Sequence, residues 1–280
     1  MKYRAWYEKN TVSLGGALAV VTGGNSGIGF EAARGLLSLG AHLVLACRSS
    51  TRAAAAREKL LAEFPAGEVE ILPLDLAENA SIDAFVAEIG KRYEKIDIFI
   101  HSAGVYYPRG THTGDGLPMT VGVNYHGTVR LAEAVLPLMD GEGKMIFTTS
   151  LVDRFGRDRV VTGEGYAAYA KSKHLLSAYV LHKAGSRGAG EPAYIAVHPG
   201  ITATDLLSPE KTTHKPLFSR LGHAFLYLFT HSPEKAALTD IYAVAEGKNG
   251  EIIGPRGLFG ISGYPHKTRF CRAVRKTAEK

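Results

Sequence analysis

Ala17-Leu18-Ala19-Val20-Val21-Thr22-Gly23-Gly24-Asn25-Ser26-Gly27-Ile28-Gly29 is the stretch that decides the fold. Residues 17 to 22 form a short continuous apolar run, the pattern of a strand buried on both faces of a parallel sheet. The helical pattern Phe30 to Leu39 follows the glycines. Glycines at 23, 27 and 29 permit a tight turn, close backbone approach to a pyrophosphate and close packing of helix on strand. The helix N-terminus adds free N–H groups and a positive dipole end. Strand before and helix after are the context that a dinucleotide-binding turn requires. Thr22, Gly23, Asn25, Gly27, Ile28 and Gly29 are therefore candidate cofactor contacts.

The same alternation continues downstream. Ala41 to Cys47, Glu70 to Leu74 and Ile96 to Ile100 read as strands, separated by helical patterns at 51 to 64 and Ser81 to Tyr93. A long helical pattern, Met119 to Met139, leads to a fifth strand, Lys144 to Thr149. The helix Tyr166 to Ala184, a sixth strand at Tyr194 to Val197 and a seventh at Glu251 to Ile253 complete the series. Such repetition predicts a single-domain, Rossmann-type α/β fold. Its doubly wound parallel sheet has about seven strands, helices on both faces and ligand at the carboxyl ends of the strands. Residues 1 to 15 form a short extension. Residues 205 to 231 form either a lid over an apolar pocket or a core or dimer-contact helix, and 264 to 280 a basic, solvated tail.

Composition narrows the class. The 280 residues are 45% apolar, enough for a full core. The formal charge of +6 is spread along the chain except for Arg269, Arg272, Arg275, Lys276 and Lys280, which predicts no nucleic-acid site. Two cysteines, Cys47 and Cys271, suit a reducing compartment and no disulfide framework. The first fifteen residues carry no apolar leader, and no stretch reaches transmembrane length. The expectation is a soluble, cytoplasmic protein without a metal.

Several positions carry candidate chemistry. Arg48 closes the second strand where an acidic side chain would grip an adenosine ribose diol, so a 2′-phosphate gains a guanidinium there. That predicts NADP(H) over NAD(H), with an exposed loop arginine as the alternative. Asp75, followed by Leu76, either accepts the adenine amino group or caps the next helix. The small residues Ala103 and Gly104 let their loop lie against a cofactor. Asn124, inside an apolar helix, holds a water or a carbonyl, or bonds to backbone. Ser150 stands at the end of the fifth strand. Tyr169 and Lys173, four apart on a helix, place a phenol beside an ammonium, which favours phenolate and so acid/base work. Tyr166 has Ala170 at its i+4 position and lacks that neighbour. Pro199 and Gly200 turn the chain and present Thr202 and Thr204 to a ligand.

In order and spacing these residues resemble the short-chain dehydrogenase/reductase family over roughly 15 to 255. The phrases Ala46-Cys47-Arg48-Ser49 and Ala168-Tyr169-Ala170-Lys171-Ser172-Lys173 are similar to its retinol-dehydrogenase-like branch. The resemblance implies that Tyr169 is the proton donor and acceptor and that Ser150 holds the substrate oxygen. Lys173 would bond the nicotinamide ribose while lowering the phenol's pKa, and Asn124 would hold the water of a proton relay. Thr202 and Thr204 would meet the cofactor. The implied activity is NADP(H)-dependent interconversion of a carbonyl and an alcohol on a small, hydrophobic substrate, by a homodimer or homotetramer formed through the helices holding Asn124 and Tyr169. The alternatives are a catalytically inactive cofactor-binding regulator and an NAD-dependent epimerase or dehydratase. Two departures stand out. His101-Ser102 replaces the family's Asn-Asn before Ala-Gly, and Ser150 and Tyr169 lie nineteen positions apart.

Overall fold

A computed structural model of the chain describes residues 3–106, 110–156, 165–202 and 231–280. The apolar run after residue 17 becomes strand β1, Leu18–Thr22, every residue of it buried. Beside it lie β2 (His42–Cys47), β3 (Val69–Pro73), β4 (Ile98–His101), β5 (Lys144–Thr148), β6 (Ala193–Val197) and β7 (Ile252–Pro255). With β8 (Pro265–Thr268) they form one eight-stranded sheet in the order β3-β2-β1-β4-β5-β6-β7-β8. All pairs are parallel except β7 with β8. The strand order reverses between β1 and β4, which opens a ligand crevice at their carboxyl ends.

Alternate residues of each strand feed two cores, as the pleat requires. Val20, Val44, Phe99, Phe147 and Ala196 face one layer, packed by helices α4 (Asn79–Arg92), α6 (Thr128–Val135) and α7 (Gly165–Gly185). Val21, Leu45, Ile100, Ile146 and Val197 face the other, packed by α2 (Gly27–Ser38), α3 (Ser50–Glu63) and, after the short α8 (Pro233–Ala236), α9 (Leu238–Glu246). Both faces of the sheet are thus covered, as the near-continuous apolar strands demand.

Three segments depart from the sequence expectation. The helix expected over 119 to 139 is broken into α5 (Met119–Val121), a π-helical segment Gly122–Gly127, α6 and a final 3-10 turn, Leu136–Leu138. Gly127 explains part of this, because a Cβ there would collide with the Leu76 carbonyl, so only glycine lets the segment come so close. The tail at 264 to 280 is structured rather than solvated. It supplies the edge strand β8 and helix α10 (Arg272–Ala278), anchored by Phe270 and Val274 among the arginines. The N-terminal extension carries α1 (Arg4–Asn10), whose Trp6 stacks on Tyr264 with ring centroids 6.5 Å apart. The lid expected at 205 to 231, apart from His231, lies outside the described residues, as does Thr204.

Candidate active site

The glycine turn between β1 and α2 has the backbone shape that its composition requires. Gly23 and Gly27 have φ of 67° and 55°, where L side chains are strained. A Cβ on Gly29 would stand 2.6 Å from the Gly23 carbonyl oxygen, so the turn closes only around glycine. Ser26, at the N-cap of α2, makes no side-chain cap bond, which leaves the first turn's N–H groups to an external acceptor. These features fit a bound dinucleotide pyrophosphate. Thr22 holds the turn to the neighbouring strand end: its Oγ1 accepts from the Ala103 N–H at 3.0 Å. Asn25 and Ile28 are partly buried within the turn. Cys47 lies beneath it, its thiol pushed up to about 11 by burial despite the facing N–H groups of residues 23 to 25.

Arg48 follows β2 and is exposed, its Nε 3.9 Å from Asp75 Oδ2. The two residues expected at the nucleoside end therefore share one edge of the crevice. Asp75 Oδ1 accepts from the Ala77 N–H at 3.0 Å, beside the buried Leu76, while Glu78 is the N-cap of α4. Asp75 thus braces its own turn instead of capping the helix.

Ser150, Tyr169, Lys173 and Asn124 converge at the carboxyl end of β5. Ser150 heads a 3-10 turn, Leu151–Phe155, and its hydroxyl lies close enough to the Tyr169 phenol to favour phenolate. Lys173 is 4% exposed, and its Nζ donates to the Thr148 carbonyl at 2.7 Å, 6.0 Å from the centre of the Tyr169 ring. Gly104 borders both Lys173 Nζ and Asn124 Oδ1, 3.6 Å from where its Cβ would stand. Asn124 is fully buried. Its Oδ1 accepts from the Val105 N–H at 2.8 Å, and its Nδ2 donates to the Val105 carbonyl at 2.9 Å and to Ser172 Oγ at 3.2 Å. Of the options open to the carboxamide, the structure takes backbone bonding. It pins the loop after β4, with both Nδ2 hydrogens engaged and a second lone pair of Oδ1 still able to accept.

The electrostatics correct one expectation. The Tyr169 phenol is raised, not lowered: burial pushes it up to about 12, and the neighbouring Ser150 hydroxyl offsets only part of this. Lys173 does not counter it because its ammonium points to Thr148 and is itself pushed down to about 8 by burial. His101, where the family's asparagine was expected, is an aromatic plate between Phe99 and Phe147, each centroid 4.5 Å away. Burial pushes it down to about 3, and neither ring nitrogen has a partner among the described residues.

Past β6, Gly200 adopts φ 75°, and the Pro199 carbonyl accepts from His231 Nε2 at 2.6 Å. Thr202 Oγ1 donates to that same carbonyl at 3.4 Å, so its hydroxyl stabilises the turn.

The family model for short chain dehydrogenase matches residues 17–215. The chain belongs to the short-chain dehydrogenases. Zebrafish (Danio rerio) polyprenol dehydrogenase is 31% identical over 268 residues, 89% of this chain and 79% of that protein. Mouse (Mus musculus) retinol dehydrogenase 11 is 31% identical over 249 residues, 85% of this chain and 76% of its own. These relatives support the retinol-dehydrogenase-like branch. A short chain dehydrogenase of Burkholderia cenocepacia, solved in complex with NADP, superposes with a TM-score of 0.68 at 25% identity, covering 85% of this chain and 95% of that one. Among the described residues no helix is long and apolar enough to cross a membrane.

Three contributors to this dehydrogenase's site escaped the sequence reading. Thr148 supplies the carbonyl for Lys173, Val105 the backbone for Asn124, and Ser172 the hydroxyl between helices. Backbone acceptors carry no residue-type signal. Ser172 lies within the Tyr-x-x-x-Lys stretch, where a small hydroxyl on an otherwise apolar face was the available cue.

Proposed function

We propose that the protein is an NADP(H)-dependent reductase that interconverts a hydrophobic carbonyl compound and its alcohol, with isoprenoid aldehydes and alcohols as the preferred class. The observation that carries the reading is the convergence of the Ser150 hydroxyl, the Tyr169 phenol and the buried Lys173 at the mouth of a glycine turn. The names of the polyprenol and retinol relatives support the substrate class, since both alcohols are isoprenoids.

Gly23, Gly27, Gly29, Ala103 and Gly104 would give the dinucleotide its close backbone approach, Arg48 its 2′-phosphate contact and Lys173 its ribose contact. Asp75, Pro199, Gly200, Thr202 and Thr204 would border it. Bound there, the nicotinamide supplies or accepts hydride. The chain's own residues manage the oxygen. Ser150 donates a hydrogen bond to the carbonyl oxygen, and Tyr169 delivers its proton as negative charge develops there. In reduction the proton lost from Tyr169 is replaced from solvent. A phenol that keeps its proton well above neutral pH is present in the protonated form that reduction needs, so reduction is the favoured role. Asn124 holds Val105 and the loop beside Gly104 in place.

The test is NADPH oxidation by the purified protein with retinal, longer isoprenoid aldehydes and short polar carbonyls. Turnover that rises with isoprenoid length supports the reading. Cofactor binding without turnover of any carbonyl would instead favour an inactive cofactor-binding protein. For the cofactor, Arg48→Glu is expected to move the NADP-to-NAD preference in kcat/KM by about tenfold or more, because a carboxylate repels the 2′-phosphate and accepts from the ribose diol. An unchanged ratio removes Arg48 from the site.

A further inference from the structure

One cluster of buried polar groups is used by none of these roles, and it lies directly behind Ser150. Asp153 is the third residue of the 3-10 turn that Ser150 heads and is 5% exposed. Its carbonyl receives His174 Nδ1 at 2.8 Å, and its carboxylate accepts from Ser177 Oγ at 2.8 Å. A carbonyl only accepts, so Nδ1 carries the hydrogen. The other ring nitrogen, Nε2, meets Thr277 Oγ1 of α10 at 2.9 Å. His174 follows Lys173 on α7 and is 1% exposed. The turn lies on that helix with nothing between them: a Cβ on Gly156 would collide with His174 Cβ and stand 2.7 Å from the Ala170 carbonyl oxygen. From behind, α10 is seated by Val274, fully buried, and by a bond between His182 Nδ1 and the Ala278 carbonyl at 3.1 Å.

We propose that Asp153, His174 and helix α10 are positioning elements that fix Ser150 against Tyr169, so that the C-terminal helix is a working part of the active site. The inference rests on the catalytic roles given above. Ser150 itself has weak local support, since its side chain accepts only a 3.4 Å contact from the Val152 N–H within the turn. The firm bonds are those of Asp153, one turn along, to the helix that carries Tyr169 and Lys173. A misplacement of about 1 Å between reacting groups costs on the order of 100-fold in rate.

A double-mutant cycle reads this directly. Asp153→Ala is expected to lower kcat for carbonyl reduction by about 10- to 100-fold with the Kd for NADPH unchanged. Asp153→Asn, whose side-chain oxygen still accepts from Ser177, should restore most of the rate. In a Ser150→Ala background, Asp153→Ala should cost nothing more, because it acts only through Ser150. Equal losses with and without Ser150, or a weakened NADPH affinity, would overturn the proposal. Thr277→Val, remote from substrate, is the second variant should Asp153→Ala fail to fold, and the same non-additivity with Ser150→Ala is expected of it. Amide exchange over residues 151 to 156 adds a readout free of activity. Faster exchange in Thr277→Val supports the clamp, and unchanged exchange refutes it, even if the wild-type protein reduces no carbonyl and the functional reading fails by itself.

Discussion

Tyr169→Phe is expected to lower kcat for carbonyl reduction by about 10²- to 10⁴-fold, the usual worth of a positioned general acid, while the Kd for NADPH stays unchanged. The ring itself should remain in place. It packs edge-to-face on Tyr106, centroids 6.1 Å apart, and that contact needs no hydroxyl. What disappears is the O–H that faces Ser150, so the stability change should be no more than about 1 kcal/mol. The pH profiles add a second signature. Because burial holds the phenol at about 12, the proton needed for reduction is present throughout the neutral range, and reduction should be flat there. Alcohol oxidation needs the phenolate and should rise with pH. That rise should vanish from the residual activity of the variant. Tyr166, more than half exposed, is the control whose change to Phe leaves the profiles intact. Wild-type kcat in Tyr169→Phe would sink the assignment.

The parts of this molecule that local pattern could announce are those where a residue type is demanded by backbone shape or by burial on both sides. The turn at Gly23, Gly27 and Gly29 is one, because a Cβ at any of them meets strain or a carbonyl. The apolar strands β1, β2, β4, β5 and β6 are another. Tyr169 and Lys173 also come together because helical geometry puts i and i+4 on one face. The direction of the phenol's shift was not legible, since it depends on where the Lys173 ammonium is aimed and how much water reaches each group. Helix spacing says nothing about the Thr148 carbonyl. The same applies at the C-terminus. Five basic residues read as a solvated tail, yet Phe270 and Val274, four apart, were enough to seat α10 against α7, and the arginines around them need only turn outward. His101 makes the opposite point. A histidine at a strand end invites a chemical reading, whereas two flanking phenylalanines turn it into a neutral ring in a stack.

Asp240 was also missed, a lone carboxylate in the apolar run 238 to 245, and its removal carries the largest expected effect on stability. It is fully buried on α9. One oxygen, Oδ1, accepts from Thr148 Oγ1 at a long 3.4 Å, and Oδ2 has no hydrogen-bond partner among the described residues. Burial raises its carboxyl to about 7, only partly offset by the Thr148 bond. An unfolded aspartate titrates near 3.9. The folded protein therefore holds a proton that the unfolded chain has released, and stability falls as pH rises from about 4 to 7 and levels off above that. The shift of about 3 pH units sets an upper bound of roughly 4 kcal/mol on the loss. Asp240→Asn keeps the shape without the charge. Its advantage over wild type should be small at pH 5, grow toward pH 7 and stay constant at pH 8, read from urea midpoints. The buried His101 and His198, both pushed down by desolvation, make each protein less stable in acid, but they titrate alike in both and cancel in the difference. Parallel stability curves for the two proteins across this range would mean that the Asp240 carboxylate finds a compensating partner, and the charge would then have no bearing on stability.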